Sequence, residues 1–380
     1  MMVIGVPKEL PLASGFLEKR AGLTPGGVRE LTGRGIAVFV ESGAGSGARF
    51  SDEDYRQAGA NVVYSKEETY GRSDLVVKVE KPAEEEWGLL RERQAIMAFM
   101  HLVNAPKKFL DLLISKKITA IGYEIIQSDV GDLPILKPIS QIAGKMSLQI
   151  AARLMESKGE GFGILIGGIP GIPPADVVII GGGTLGYHAA RTFYNAGARV
   201  FVLEKDQKRL EELDRLFGGG IVTAYSSERY LERMVSFADV LITAVLVPGA
   251  PAPVLVTREM VQSMKRGSVI IDFSIDQGGC VETSRLTPGE DFVFVMDGVI
   301  HYCVPNVSSN VARTASRALT HSTVPYLLEI AAGGLKDALL KDSSLQRGLY
   351  TCCGYAANEN LKNLGIPYGE APDLLKEFDL

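Results

Sequence analysis

The chain of 380 residues is poor in the residues that staple small or metal-built folds, with 4 Cys, 4 His and 1 Trp. Cys280, Cys303, Cys352 and Cys353 have no metal-ligand spacing, and a chain this long buries a core without disulfides or metal ions. No metal site is expected. The adjacent Cys352 and Cys353 read as buried or free thiols rather than a bridge, which points to a reducing, cytoplasmic setting. Positive charge is not in excess: 40 Lys and Arg face 45 Asp and Glu, the net charge is −5 and the pI about 5.6. Nucleic acid and anionic membranes are therefore not expected partners. No apolar run approaches the ~20 residues that span a bilayer. The longest candidate, 163–180, is broken by glycines, prolines and Asp176 and reads as a loop entering a strand. The opening MMVIGVPKEL has no basic segment followed by an apolar one, so no secretory signal is visible. Fixed-period repeats and low-complexity tracts are also missing.

What is present is an alternation of short apolar runs with helical patterns. At ~150 residues per domain, two domains are expected. VIGV (3–6), AVFVE (37–41), LVVKV (75–79), AIMAFMH (95–101) and ITAIGYE (118–124) read as strands. Thr24 and Pro25 look like an N-cap and first helical residue, and further helices fit at 52–58, 84–92 and 105–116. Near-continuous apolar strands alternating with helices predict a parallel sheet covered on both faces. From 138 to 158 the period changes: Ile142, Met146, Ile150 and Leu154 form one apolar stripe of a long helix. After a Gly/Pro-rich stretch, a second series follows. Its strands are VVII (177–180), RVFVLE (199–204), VLITAV (240–245), SVIIDFSI (268–275) and 292–295, with helices between. A second long helix runs from about 310 to 332, and the tail reads as helical. The predicted architecture is α/β: two Rossmann-like, doubly wound parallel-sheet domains linked by two long helices. Residues 1–136 and 312–380 form one domain and residues 137–311 the other.

Gly181-Gly182-Gly183-Thr184-Leu185-Gly186 matches G-x-G-x-x-G in the right context. An apolar strand precedes it, a helix follows, and the next strand ends in Glu204, 18 residues past Gly186. Gly181 permits the tight turn, Gly183 lets the backbone approach a pyrophosphate, and Gly186 lets helix and strand pack closely. The helix N-terminus offers free N–H groups to the phosphates. Glu204 suits the adenosine ribose hydroxyls and repels a 2′-phosphate, so NAD is expected rather than NADP. The blander alternative is a glycine turn without a ligand.

Ligands of open α/β sheets sit beyond the carboxyl ends of the strands. Arg20 follows the first strand, Lys78 lies late in LVVKV, and His101 ends AIMAFMH. A guanidinium, an ammonium and an imidazole there suit a small carboxylate substrate with a second oxygen. Arg clamps the carboxylate, Lys polarises a carbonyl and His exchanges protons. Taken singly, Arg20 beside Glu18 and Lys19 also fits an exposed charge run, and His101 a satisfied strand-end histidine. Lys78 among valines needs a buried partner. Asp276 follows the strand at 268–273 and precedes Gly278 and Gly279, so it supplies an acid at that strand end, and facing the same crevice it would stand opposite His101. Asp272 is the alternative acid, and an ordinary turn aspartate the bland reading of Asp276. His188 and His321 read as helix-surface or packing residues.

IGVPKE (4–9), RAGLTPGGV (20–28), LVVKVEKP (75–82), FMHL (99–102), YEIIQ (123–127), GGIPGIPPADVVIIGGGTLGYHAAR (167–191), AVLVPGAPAP (244–253), IDFSIDQGGC (271–280) and YCVPN (302–306) together carry a resemblance over nearly the whole chain. The sequence resembles the alanine dehydrogenase and pyridine-nucleotide transhydrogenase family. Its IDQGG segment is similar to the dehydrogenase branch more than to the transhydrogenase subunit, a role that also needs membrane partners. The resemblance implies a homohexamer that uses NAD to deaminate L-alanine oxidatively to pyruvate and ammonia, reversibly. It implies Arg20 and Lys78 as substrate ligands, His101 and Asp276 as acid/base residues, and Asn306 near the substrate or nicotinamide. Ser140, Ser226, Val245 and Leu246 join Gly183 and Glu204 around NAD, and Arg209 reaches the adenosine side. The chain departs from the family at Ile139 and Val307, where methionines are usual, and at Gln141 and Lys145. The segment before Arg20 is longer than usual. The two missing methionines imply a reshaped pocket, which leaves open a different 2-oxo acid. A non-catalytic NAD-binding module is the reading from another class.

Overall fold

The computed structural model describes residues 2–11, 15–247, 250–287 and 292–377. Residues 12–14 of the long segment before Arg20 lie outside that range. Two mostly parallel sheets, each with helices packed on it, organise the chain. In the first, β1 (Val3–Val6), β2 (Ala37–Glu41), β3 (Asn61–Val63), β4 (Leu75–Glu80), β5 (Ala95–Phe99) and β6 (Thr119–Gly122) run parallel in the order β3-β2-β1-β4-β5-β6. β4, β5 and β6 are buried along their whole length, as a sheet covered on both faces requires. The second sheet comprises β7 (Asp176–Ile180), β8 (Arg199–Glu204), β9 (Val222–Tyr225), β10 (Val240–Thr243), β11 (Val269–Asp272), β12 (Phe294–Met296) and β13 (Val299–Tyr302). Its order is β12-β13-β11-β10-β7-β8-β9. The chain then returns to the first sheet, where β14 (Leu349–Cys352) pairs antiparallel with β6 and carries β15 (Tyr355–Ala356) outside it.

Each sheet ends in an antiparallel strand pair that the sequence reading lacks. β12 and β13 form a hairpin, where one strand at 292–295 is expected. The tail holds β14 and β15 where helix is expected, since β6 needs a neighbour and LYTC, flanked by Gly348 and Gly354, supplies one. The edge strands β3 and β9 are also new. The segment 84–92 is a 3-10 helix at Glu84–Leu89 rather than an α-helix. Four expected strands are shorter: β5 stops at Phe99, β10 at Thr243, β6 at Gly122 before a 3-10 turn at Tyr123–Ile125, and β11 at Asp272 before a 3-10 turn at Ile275–Gln277.

Helix α1 (Pro25–Thr32) has the expected cap: Thr24 accepts from Gly27 N–H and Pro25 begins the helix. The two expected long helices are α2 (Leu136–Leu154) and α4 (Ala312–Gly333), and they pack against each other. Between them in sequence, α3 (Thr184–Asn195) packs on α2. That contact is close because Gly144 has no side chain: a Cβ there would lie 2.5 Å from Leu185 O and 2.9 Å from His188 Cβ.

Gly144→Leu therefore overpacks the α2–α3 seam, and its urea unfolding midpoint falls by the equivalent of ~1–3 kcal/mol. Gly71→Ala, in a helix with open space at the Cβ position, is neutral or stabilising by about 0.4–1 kcal/mol. An unchanged or raised midpoint for Gly144→Leu sinks the close-contact explanation.

Candidate functional site

The carboxyl ends of β5, β7, β8, β10, β11 and β13, with the loop after β1, surround one cavity of about 600 Å³. Its nucleotide-like end is built by the turn from β7 into α3. Gly181 sits at φ +99°, where a Cβ would be 2.6 Å from Ala244 O. A Cβ on Gly186 would stand 1.8 Å from Gly181 O, so helix and strand touch only because that residue is glycine. Gly183 caps α3 with no side-chain hydrogen bond, and the space beside its Cα is open. Uncapped N–H groups at a helix start, beside an open glycine, form a cradle that fits an anionic diphosphate. Glu204 closes this end: its carboxylate accepts Gly182 N–H at 2.7 Å, Lys205 N–H at 2.7 Å and Asp206 N–H at 3.1 Å. Ser140, Ser226, Val245 and Leu246 line the same cavity.

Arg209 does not line it. Its Nε donates to Gly182 O at 2.6 Å, its Nη1 to Glu212, and its guanidinium lies over the Tyr187 ring. It braces the glycine turn from behind. Gly186 is likewise a packing residue below the cavity.

The other end is lined by Arg20, His101, Asp276 and Asn306. Arg20 is 1% exposed, which removes the exposed-charge reading. A buried guanidinium requires partners. Glu18 supplies a two-pronged pair at 2.8 and 2.6 Å, Ser308 Oγ accepts from Nη1 at 3.0 Å, and Glu80 stands 3.3 Å from Nη2. Phe99 lies beneath the guanidinium at 6.0 Å. Burial opposes the charge of Arg20, but Glu18 and Glu80 more than offset it. Burial outweighs Arg20 at Glu80, whose carboxyl is pushed up to about 8.

His101 lies two residues past β5 at φ +42°, a region that costs a non-glycine residue of order 1–3 kcal/mol. Glu124, itself buried, holds it there by accepting Met100 N–H at 3.2 Å and His101 N–H at 2.6 Å. The ring stacks on Phe99. Asp276 rides on the 3-10 turn after β11. Burial raises its carboxyl above the ordinary range, opposed by the His101 charge and by the backbone N–H of Asn306. Asn306 is also left-handed, at φ +51°. Asp272, the alternative acid, is used structurally: it accepts Thr243 Oγ1 at 2.5 Å, Ser274 N–H at 3.0 Å and Cys280 N–H at 3.0 Å.

Lys78 departs from its expected place. Its ammonium is 1% exposed, sits 3.2 Å from Glu9 and 3.1 Å from Glu86, and is not among the residues that line the cavity. Burial pulls its pKa down, and the two carboxylates raise it by more. The partner that a lysine inside an apolar strand needs is thus a pair of glutamates. Glu18, Glu80, Glu86, Glu124 and Ser308 escaped the sequence reading. Glutamates near strand ends are common, and only the buried cations and imidazole they serve mark these. Among the described residues, no cluster of metal-binding side chains occurs, and no helix is long and apolar enough to cross a membrane.

Comparison with known proteins extends this geometry. The family model for the alanine dehydrogenase/PNT N-terminal domain matches residues 5–143, and that for the C-terminal domain matches residues 147–359. The alanine dehydrogenase of Mycolicibacterium smegmatis is 43% identical over 376 residues, 98% of this chain and 100% of that protein. That of Methanococcus maripaludis is 41% identical over 378 residues, 99% of this chain and all of the relative. A solved L-alanine dehydrogenase superposes with a TM-score of 0.88 at 41% identity, covering 98% of this chain and 100% of its own. A transhydrogenase from Sinorhizobium meliloti, at 24% identity and a TM-score of 0.78, shares the fold. These relatives and the Rossmann-like second sheet imply a nicotinamide nucleotide cofactor. The chain belongs to the alanine dehydrogenase/PNT family.

Proposed function

We propose that this protein is an NAD-dependent dehydrogenase that converts L-alanine to pyruvate and ammonia, and the reverse. The observation that carries the reading is one cavity lined at one end by an open glycine turn and Glu204, and at the other by Arg20, His101 and Asp276. Family membership supplies the substrate class. NAD is favoured over NADP by Glu204, whose carboxylate meets ribose hydroxyls well and a 2′-phosphate badly. Gly181, Gly183 and the start of α3 would hold the diphosphate, with Ser140, Ser226, Val245 and Leu246 along the cavity wall. Bound there, the nicotinamide supplies the hydride acceptor.

Arg20 binds the substrate carboxylate, its orientation fixed by Glu18 and Ser308. Lys78, paired with Glu9 and Glu86, lies outside the cavity lining. Asn306 holds Asp276 through its backbone N–H. His101 and Asp276 take a proton from water as it adds to the substrate imine, and return one to the departing nitrogen. Burial between the two sheets limits competing water. The proposed form is a cytoplasmic homohexamer; the four cysteines, all free thiols, fit a reducing compartment.

A second reading concerns the side chain of the substrate. Ile139 and Val307 both line the cavity where the family usually has flexible methionines. Shorter, β-branched walls make room for a group larger than methyl. A rate panel of pyruvate against 2-oxobutyrate, with ammonia and NADH, decides between them. Faster turnover of pyruvate upholds alanine, and faster turnover of 2-oxobutyrate replaces it.

L-Alanine and NAD at alkaline pH yield NADH; nucleotide binding without turnover overturns the reading in favour of a sensor. His101→Ala and Asp276→Asn each lower kcat by roughly 10²- to 10⁴-fold while NADH still binds, as followed by its fluorescence. Near wild-type kcat in both variants removes them from the chemistry. Glu204→Ala narrows the ratio of kcat/KM for NAD over NADP, and an unchanged ratio removes the ribose assignment.

A further inference from the structure

The proposed reaction leaves unused the two adjacent thiols at the tip of the β14–β15 hairpin. Cys353 and Gly354 form its two-residue turn, at φ +56° and +90°. Such turns need two left-handed residues, usually Asn, Asp or Gly, so nothing in the turn geometry calls for sulfur. Cys352 is fully buried at the end of β14, whereas Cys353 is half-buried. The tip packs over the turn before β6, with Lys117 Cγ 3.5 Å from where a Gly354 Cβ would stand. Arg93 donates its backbone N–H to Lys116 O at 2.8 Å, which brings a second cation to that turn. Lys336, in the first turn of the helix Leu335–Lys341, adds a third cation that acts on Cys353. A hydrogen bond from the Cys352 thiol, with these three cations, holds the Cys353 thiol down at about 7. The two other cysteines are buried, and burial pushes both up to about 11. One thiol of the pair is therefore a ready nucleophile and its neighbour the proton-bearing partner.

We propose that Cys352 and Cys353 form an oxidant-sensing modification site that takes small peroxides. The Cys353 thiolate attacks one peroxide oxygen; a sulfur–oxygen bond forms, the oxygen–oxygen bond breaks, and the leaving hydroxide takes a proton from solvent to become water. The Cys352 sulfur then attacks the Cys353 sulfur. A sulfur–sulfur bond forms, the sulfur–oxygen bond breaks, and the Cys352 proton leaves with the hydroxide as a second water. The thiols lose two electrons and the peroxide gains them.

The site is wired to the cavity by one strand. Tyr350, two residues before Cys352 on β14, donates to Glu124 Oε1 at 2.9 Å, the oxygen that accepts His101 N–H. Joining the two sulfurs reshapes the turn at Cys353 and moves the strand end that presents Tyr350. The consequence for turnover rests on the proposed dehydrogenase activity; the thiol chemistry does not.

The test treats the full-length protein with equimolar hydrogen peroxide and maps tryptic peptides by mass spectrometry. The 348–362 peptide holds Cys352 and Cys353 alone among the cysteines. It is expected to lose two hydrogens and to regain them with dithiothreitol. Cys353→Ser abolishes the loss, and Cys352→Ser instead accumulates a dimedone-trapped sulfenic acid at Cys353. Iodoacetamide alkylation of Cys353 has its midpoint near pH 7, and Cys352→Ala moves it upward. Oxidation confined to Cys280 or Cys303, or a midpoint at the ordinary ~8.5 of a free thiol, overturns the site. Oxidation is also expected to lower L-alanine turnover several-fold in the wild type and not in Cys353→Ser. Disulfide formation with unchanged turnover overturns the link to His101. A parent protein that never turns over L-alanine refutes the dehydrogenase reading and leaves the mass result to judge the thiols.

Discussion

Charge buried in the first sheet is the constraint on which the site depends. Arg20 and Lys78 are each 1% exposed, and an unpaired cation at that depth costs several kcal/mol. The fold meets the demand with carboxylates from both near and distant segments. Glu18 and Glu80 serve Arg20, and Glu9 and Glu86 serve Lys78. Ser308 adds a bond to Arg20 from just before α4, and Ser309 accepts Lys19 N–H at 2.9 Å. These contacts fasten the loop after β1 to the chain that leaves the second sheet. The guanidinium thus ties the first sheet to the segment that follows the second.

Around that anchor, the parallel sheets do the positioning. Parallel strands place all their carboxyl ends on one edge, so residues far apart in sequence meet there. The first sheet brings Arg20 and His101 and the second brings Asp276, Asn306 and the glycine turn. His101 and Asn306 both have left-handed backbones. Glu124 holds the first through two backbone N–H groups. Strain accepted at two cavity residues and supported from behind is a mark of a functional site.

Much of this was legible in the sequence. The glycine turn, its flanking strands and Glu204 form a local motif recognisable from spacing alone. The apolar strands of both sheets read correctly because burial on both faces leaves a continuous hydrophobic signature. Strands with weak or split signals did not read: β3 and β9 are short edges, and β13 and β14 depend on partners that only the fold supplies. Taken singly, Arg20 also fitted an exposed charge run, because its neighbours Glu18 and Lys19 are charged. Glu18 is its buried partner.

The sequence by itself determined the class of fold, the glycine turn and the short list of polar residues at strand ends, since these depend on neighbours within a few positions. Tertiary structure decided which of them face the cavity. It put Asp276 there and tied Asp272 into three hydrogen bonds, and it seated Lys78 among glutamates and Arg209 behind the glycine turn. It also surrounded Cys353 with cations. The reason is desolvation: what a charged group does once buried is set by the charges that other parts of the chain bring within a few ångströms, and linear order does not encode those distances.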